Sequence, residues 1–254
     1  MAPLHPARIV LKWATLVLFI GTGLFAVGTL VLFLVVRAES SKQAPLQTGP
    51  VAGVPGLFAI EDRGVNFYLL KRGAQLIAFD AGRDPRANAR ALDSLGLDAQ
   101  SVTAVFLTHS DSDHCGGAGL FSNARVYLSR AEEPLATGKI RRLLAFKNAY
   151  FSEHTALDDG QTVPVEGLAI QAIATPGHTP GSLCFLAGDT LLFAGDTLAL
   201  YDGKAAVFSD LFNMSSARQK RSLHRLSALT HVVFAATGHH GVTGRFQEAI
   251  ASWR

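Results

Sequence analysis

The stretch Val102-Thr103-Ala104-Val105-Phe106-Leu107 runs straight into Thr108-His109-Ser110-Asp111-Ser112-Asp113-His114-Cys115-Gly116-Gly117. The first six residues form an apolar run rich in valine, the pattern of a buried strand. The residues after it place four metal-competent side chains, His109, Asp111, Asp113 and His114, within six positions. In an extended chain, side chains two apart point the same way. His109 and Asp111 can therefore meet one ion. Asp113 and His114 lie just beyond, where the chain turns into Gly116-Gly117, and can face a second. The glycines permit a tight bend and leave room beside it.

Working outward, three later segments repeat the arrangement of an apolar run followed by a Gly- or Pro-bracketed ligand. They are Thr175-Pro176-Gly177-His178-Thr179-Pro180-Gly181, Phe193-Ala194-Gly195-Asp196-Thr197 and Ala236-Thr237-Gly238-His239-His240-Gly241. Loops held at the ends of a rigid sheet are where sites are commonly built. A lone Asp after a strand is ordinarily a turn or cap residue, and a lone His a surface or hydrogen-bonded group. Seven in this setting point to metal binding, with His240 as the alternative to His239. No Ser-His-Asp spacing or glycine-rich phosphate loop competes.

The rest of the pattern alternates strands and helices. Strands are predicted at Leu57–Ile60, Asn66–Leu70, Leu76–Phe79, Leu168–Ala174 and His231–Ala235, with a hairpin of Leu183–Ala187 and Thr190–Ala194. Helices are predicted at Asp84–Leu95 and Ser215–Leu229. Such a mixture suits a layered α/β domain. Lys139–Arg142 and Ala217–Arg221 read as solvated helix faces. Glu132–Glu153 reads as a cover over the site or a plain helical hairpin. Cys115 and Cys184 read as core residues, Tyr201 and Phe208 as lining for a substrate pocket, and His154, His224 and His231 as structural or exposed.

These motifs resemble the metallo-β-lactamase superfamily over nearly all of residues 51–254. That family's signature is H-x-H-x-D-H after a strand, then a T-P-G-H-T turn, a G-D element and a late G-H. Asn66–Leu69 and Ile77–Gly82 resemble its opening strands, with Asp80 structural near the site. The resemblance implies an α/β (α+β) fold, a four-layer αββα sandwich with the metals at one edge between the sheets. It implies that His109, Asp111 and His178 hold one divalent ion, that Asp113, His114 and His239 hold another, and that Asp196 bridges them. Asp111 departs from the signature, giving H-x-D-x-D-H. Zinc is expected, with manganese or iron as alternatives, because a carboxylate is a harder ligand than imidazole. The implied activity is hydrolysis of an ester, thioester, lactone or phosphodiester by a metal-activated hydroxide, with Asp113 as the catalytic proton acceptor. A mononuclear iron sulfur dioxygenase-like oxidoreductase and a non-catalytic membrane-bound binding protein are the competing classes.

The chain carries a formal charge of +3. Arg8, Lys12 and Arg37 account for all of it within residues 1–37, which hold no acid. The other residues are therefore neutral overall, which argues against a nucleic-acid partner. A small-molecule substrate is expected instead, and oligomeric state is left open. From Trp13 to Val36 no residue is charged. As a helix this run would be about 36 Å long, enough to cross a hydrocarbon core of about 30 Å. Residues 1–37 therefore read as a tail and single-pass transmembrane anchor, 38–56 as a linker and 57–254 as the hydrolase domain. Arg8 and Lys12 before the span favour an extracytoplasmic domain.

Overall fold

The computed structural model describes residues 27–31, 45–142 and 153–254. The chain divides into two units, Met1–Gln43 and Ala44–Arg254. In the first unit only the helical stretch 27–31 is described. Apart from that stretch, the predicted span 13–36 lies outside the described residues. Among the described residues no helix is long and apolar enough to cross a membrane.

The second unit opens with a seven-stranded sheet whose spatial order follows the sequence. Its strands are β1 (Gly49–Pro50), β2 (Leu57–Glu61), β3 (Asn66–Arg72), β4 (Gln75–Phe79), β5 (Val102–Phe106), β6 (Arg125–Ser129) and β7 (Thr155–Leu157). Pairing is antiparallel from β1 to β4 and parallel from β4 to β7. Part of the segment read as linker is thus ordered on the sheet: Gly49 pairs with Ala59, and Val51 is buried.

The chain then builds β8 (Thr162–Val165), β9 (Leu168–Ala174), β10 (Leu183–Ala187) and β11 (Leu191–Gly195). It leaves for a separate hairpin, β12 (Ala199–Tyr201) with β13 (Lys204–Ala206), and returns with β14 (Phe234–Thr237) and β15 (Val242–Thr243). The second sheet has the order β15-β14-β11-β10-β9-β8. Only its β11–β14 pair is parallel.

Both sheets are covered on both faces, and the strand sequences show it. Side chains alternate across a strand, so Tyr68 and Leu70 of β3 enter one cluster while Phe67 and Leu69 enter another. The first cluster lies between the sheets. It joins Phe79, Phe106 and Tyr127 of the first sheet to Phe185 and Phe193 of the second. The Phe79 and Phe193 rings stack at 3.6 Å. The second cluster covers the outer face of the first sheet under helix α1 (Pro85–Ser94), through Leu92. Asp84 caps α1 by accepting from the backbone N–H groups of Arg86 and Ala87, and Pro85 suits the first turn.

Two one-turn helices follow, α2 (Ser112–Cys115) and α3 (Glu133–Ala136). The third cluster covers the second sheet's outer face with α4 (Ser216–Ser227) and α5 (Phe246–Ala249). Leu223 and Leu226, three apart on α4, are its buried stripe. The layers therefore run helix, sheet, sheet, helix.

One local expectation needs correction. Lys139–Arg142 is not a solvated helix face. Helix α3 stops after one turn at Ala136, Gly138 adopts φ +69, and Arg142 is buried at 4% exposure. Residues 143–152 of the segment Glu132–Glu153, expected to form a cover or a helical hairpin, lie outside the described residues. By contrast Arg218, Lys220 and Arg221 lie on the exposed face of α4.

Candidate metal centre

The site sits where the strand ends of the two sheets meet. His109 follows β5 of the first sheet. His178 lies in the turn from β9 to β10, Asp196 follows β11, and His239 follows β14. Backbone bonds tie the edges together: Leu183 N–H donates to Thr108 O at 2.9 Å, and Asn66 N–H to Gly238 O at 2.7 Å.

The run after β5 is only partly extended. Asp111 is the N-cap of α2, with its own φ/ψ still in the extended region. Asp113 and His114 therefore stand on a helical turn, rotated away from Asp111. Close backbone packing seats that turn: a Cβ on Gly117 would lie 2.1 Å from Ala81 O, and one on Gly116 2.8 Å from Arg83 O. Glycine is required there for its lack of bulk.

All seven residues singled out in the sequence converge. His109, Asp111 and His178 form one group of potential ligand atoms, His109, His114 and Asp196 a second, and Asp113, His114 and His239 a third. Within each group the atoms lie within 4.8 Å of one another. Asp196 joins them: its Oδ2 is 3.4 Å from both His178 Nε2 and His239 Nε2, and its Oδ1 is 3.4 Å from His114 Nε2. His240 points elsewhere. Its ring packs on Tyr201 and Phe208 at 4.9 and 5.6 Å, and His239, not His240, stands in these groups of potential ligand atoms. Phe208 also packs on His178 at 5.1 Å and His239 at 5.4 Å, so it borders the site.

The histidines share one wiring. His114 Nδ1 lies 2.8 Å from Asp80 Oδ2, His239 Nδ1 2.6 Å from Gly64 O, and His178 Nδ1 3.2 Å from Asn213 Oδ1. Carboxylates and carbonyls only accept, so each Nδ1 carries the proton. Thr108 Oγ1 donates to Asp80 and lies 3.0 Å from His109 Nδ1, so it accepts from that ring. Each ring therefore turns Nε2 inward, the orientation that outer hydrogen bonds impose on metal-ligating imidazoles. His109 Nε2, His114 Nε2 and Asp196 Oδ1 are buried without a hydrogen-bond partner. Leaving a buried polar atom unsatisfied costs roughly 1–3 kcal/mol, and a cation would satisfy all three. The donor set of imidazole nitrogens and carboxylate oxygens fits a divalent metal.

Charge is distributed accordingly. Burial, and then His114, push His109 down to about 4. Burial holds His178 well below its ordinary value, so both are neutral ligands near pH 7. His239 moves the other way, up to about 10, because Asp196 and Asp113 outweigh its burial. Asp196 and Asp113 are carboxylates held below their usual range, their burial outweighed by the surrounding histidines.

Two residues in this centre were not anticipated. The Arg142 guanidinium donates to Asp111 and, at 3.1 Å, to His178 Nε2, with Phe212 O as a further acceptor. It places a positive charge where those two residues would hold a cation. Glu132, fully buried, hydrogen-bonds to the backbone on both sides of the site. Neither belongs to a ligand-spaced motif, so pattern alone had no signal for them. Three other described histidines lie outside: His154 pairs with Glu133, His224 meets Trp253 O, and His231 is exposed. Cys115 and Cys184 are buried, as core residues are.

The sequence family described as the metallo-beta-lactamase superfamily matches residues 60–239, a stretch that contains all seven candidate ligands. The chain belongs to the metallo-β-lactamase superfamily. Among superfamily members, an atrochrysone carboxyl ACP thioesterase from Emericella nidulans is 33% identical over 164 residues, covering 64% of this chain and 49% of the relative. A probable polyketide biosynthesis zinc-dependent hydrolase from Bacillus velezensis is 37% identical over 100 residues, covering 38% of this chain and 39% of the relative. The chain thus spans about half the length, or less, of these relatives. A crystal structure of a metallo-beta-lactamase family protein from Thermus thermophilus superposes with a TM-score of 0.61 at 26% identity, covering 79% of each chain.

Proposed function

We propose that this member of the metallo-β-lactamase superfamily is a metal-dependent hydrolase that cleaves a small acyl thioester or ester. The observation that carries the reading is the wiring of His109, His114, His178 and His239. Each is held at Nδ1 by an outer acceptor, with Nε2 turned toward Asp111, Asp113 and Asp196. Likeness to a thioesterase and a hydrolase supports the substrate class.

Two divalent ions, zinc foremost with manganese or iron as alternatives, would be held by His109, Asp111 and His178 and by Asp113, His114 and His239. Asp196 would lie between them. Such ions lower the pKa of coordinated water to about 7 and polarise the electrophile.

The chain's own groups do the rest. Asp113 lies at 3.4 Å from His239 Nε2, and Arg83 Nη2 lies 3.7 Å from its carboxylate. It is the side chain placed to orient an attacking water and take its proton. Phe208 screens His178 and His239 from bulk water. The test is metal content of the full chain together with turnover of ester, thioester, lactone and phosphodiester substrates. Zinc retained after dialysis and thioester or ester turnover are expected, with turnover abolished in Asp113→Ala. A chain that retains no divalent metal, or an Asp113→Ala variant that keeps metal and the wild-type rate, overturns the assignment.

Residues 13–36 are proposed as a single membrane anchor with the catalytic domain outside, on the length and apolarity of that run. Release of the full chain from membranes by alkaline carbonate would refute the anchor.

A further inference from the structure

Glu132 ends the 3-10 turn that follows β6, and it is fully buried, at 0% exposure. An isolated carboxylate in such a place is costly unless hydrogen-bonded. Here donors from two different loops supply the bonds. Oε1 accepts from Ser110 N–H at 3.0 Å and from Ser110 Oγ at 2.8 Å. Oε2 accepts from Thr179 Oγ1 at 2.7 Å and from Gly181 N–H at 3.1 Å.

The identity of the donors matters more than their number. Ser110 stands between His109 and Asp111, and Thr179 stands beside His178. One oxygen thus holds the loop from the first sheet, and the other holds the loop from the second. The loops close tightly around the Glu132 backbone as well: a Cβ on Gly181 would sit 2.3 Å from Glu132 N. Asp113, His114 and His239 receive nothing from Glu132; their outer partners include Asp80 and Gly64 O.

We propose that Glu132 is the positioning residue that sets the spacing of His109, Asp111 and His178, and so governs one ion position and not the other. The inference rests on the metal-binding reading above. It does not make Glu132 a ligand or a catalytic group, because it acts through the two loops. A glutamine in its place offers one oxygen. Whichever way the amide faces, one loop meets an NH2 group where it needs an acceptor, donor against donor.

The experiment is a zinc titration of the full chain against a competing chelator, with stoichiometry checked by elemental analysis. Wild-type protein is expected to bind two equivalents. Glu132→Gln is expected to weaken one equivalent by about 10–100-fold, the range for groups that orient metal ligands, and to leave the other unchanged. Ser110→Ala and Thr179→Val each remove one hydroxyl donor, and smaller losses confined to that same equivalent are expected. These two variants decide the matter by the same readout if Glu132→Gln fails to fold. Two unaltered equivalents in Glu132→Gln, or equal weakening of both, overturn this inference alone. A wild-type chain that binds no zinc overturns the metal reading and this inference with it.

Discussion

The two walls of the metal centre are built differently. The wall from the first sheet is one six-residue run, His109–His114, leaving a single strand. The wall from the second sheet is three separate residues, His178, Asp196 and His239, at the ends of β9, β11 and β14. The first wall is held by side-chain bonds that return to its own sheet: Asp80, after β4, accepts from Thr108 N–H, Thr108 Oγ1 and His114 Nδ1. The second is held largely by backbone approach. A Cβ on Gly177 would lie 2.4 Å from Gln219, one on Gly195 2.4 Å from Thr108 Oγ1, and one on Gly238 2.5 Å from Asp196 Oδ1. A contiguous wall is within reach of two carboxylates, Asp80 at Thr108 and His114 and Glu132 at Ser110. A dispersed wall depends on strand ends lying close enough that no side chain fits between them.

The largest effect should come from disturbing the dispersed wall. Gly238→Ala would push a methyl group to 2.5 Å from Asp196 Oδ1 and 2.6 Å from His114 Cε1 without changing a ligand. Its zinc affinity should fall by more than the roughly 100-fold limit typical of outer groups. A chelator titration that matches wild type would show that the glycine contacts do not govern the wall.

Next comes the contiguous wall. Asp80 has φ +61, a left-handed conformation that asparagine also tolerates. Asp80→Asn therefore keeps the backbone and removes an oxygen acceptor. Zinc affinity should drop by about 10–100-fold. If thermal melting shifts and metal affinity does not, the carboxylate serves the fold rather than the wall.

The smallest effect concerns the cysteines, one beside each wall. Cys115 ends the one-turn helix α2, whereas Cys184 lies in β10, paired on both sides by β9 and β11. Burial pushes the Cys184 thiol up to about 11, so almost no thiolate exists near neutral pH. Chelator treatment should hasten alkylation of Cys115 and leave Cys184 unmodified, as followed by peptide mass spectrometry. Equal reaction of both would mean that the walls open together.

Much of this was legible in sequence because each signal is local. Val102–Leu107 followed by His109, Asp111, Asp113 and His114 announces a strand end with ligands. Asp84-Pro85 and Ser215 announce helix starts that the structure places at Pro85 and Ser216. Short edge strands such as β7 and β8 were missed, since three or four residues of mixed polarity carry no period. The helical turn at Ser112–Cys115 was missed for a different reason: the glycines after it are chosen by contact with Ala81 and Arg83, which are distant along the chain.

The sequence by itself determined the main strands and helices and six of the candidate ligands, with His239 and His240 as alternatives for the seventh, because strand periodicity, turn residues and ligand chemistry are properties of neighbours along the chain. Only the tertiary structure decided that His239 and not His240 faces the cluster, that Arg142 enters it, and that Glu132 joins its loops. Those outcomes depend on which backbone atoms two packed sheets bring within hydrogen-bonding reach, and no short-range pattern encodes that distance.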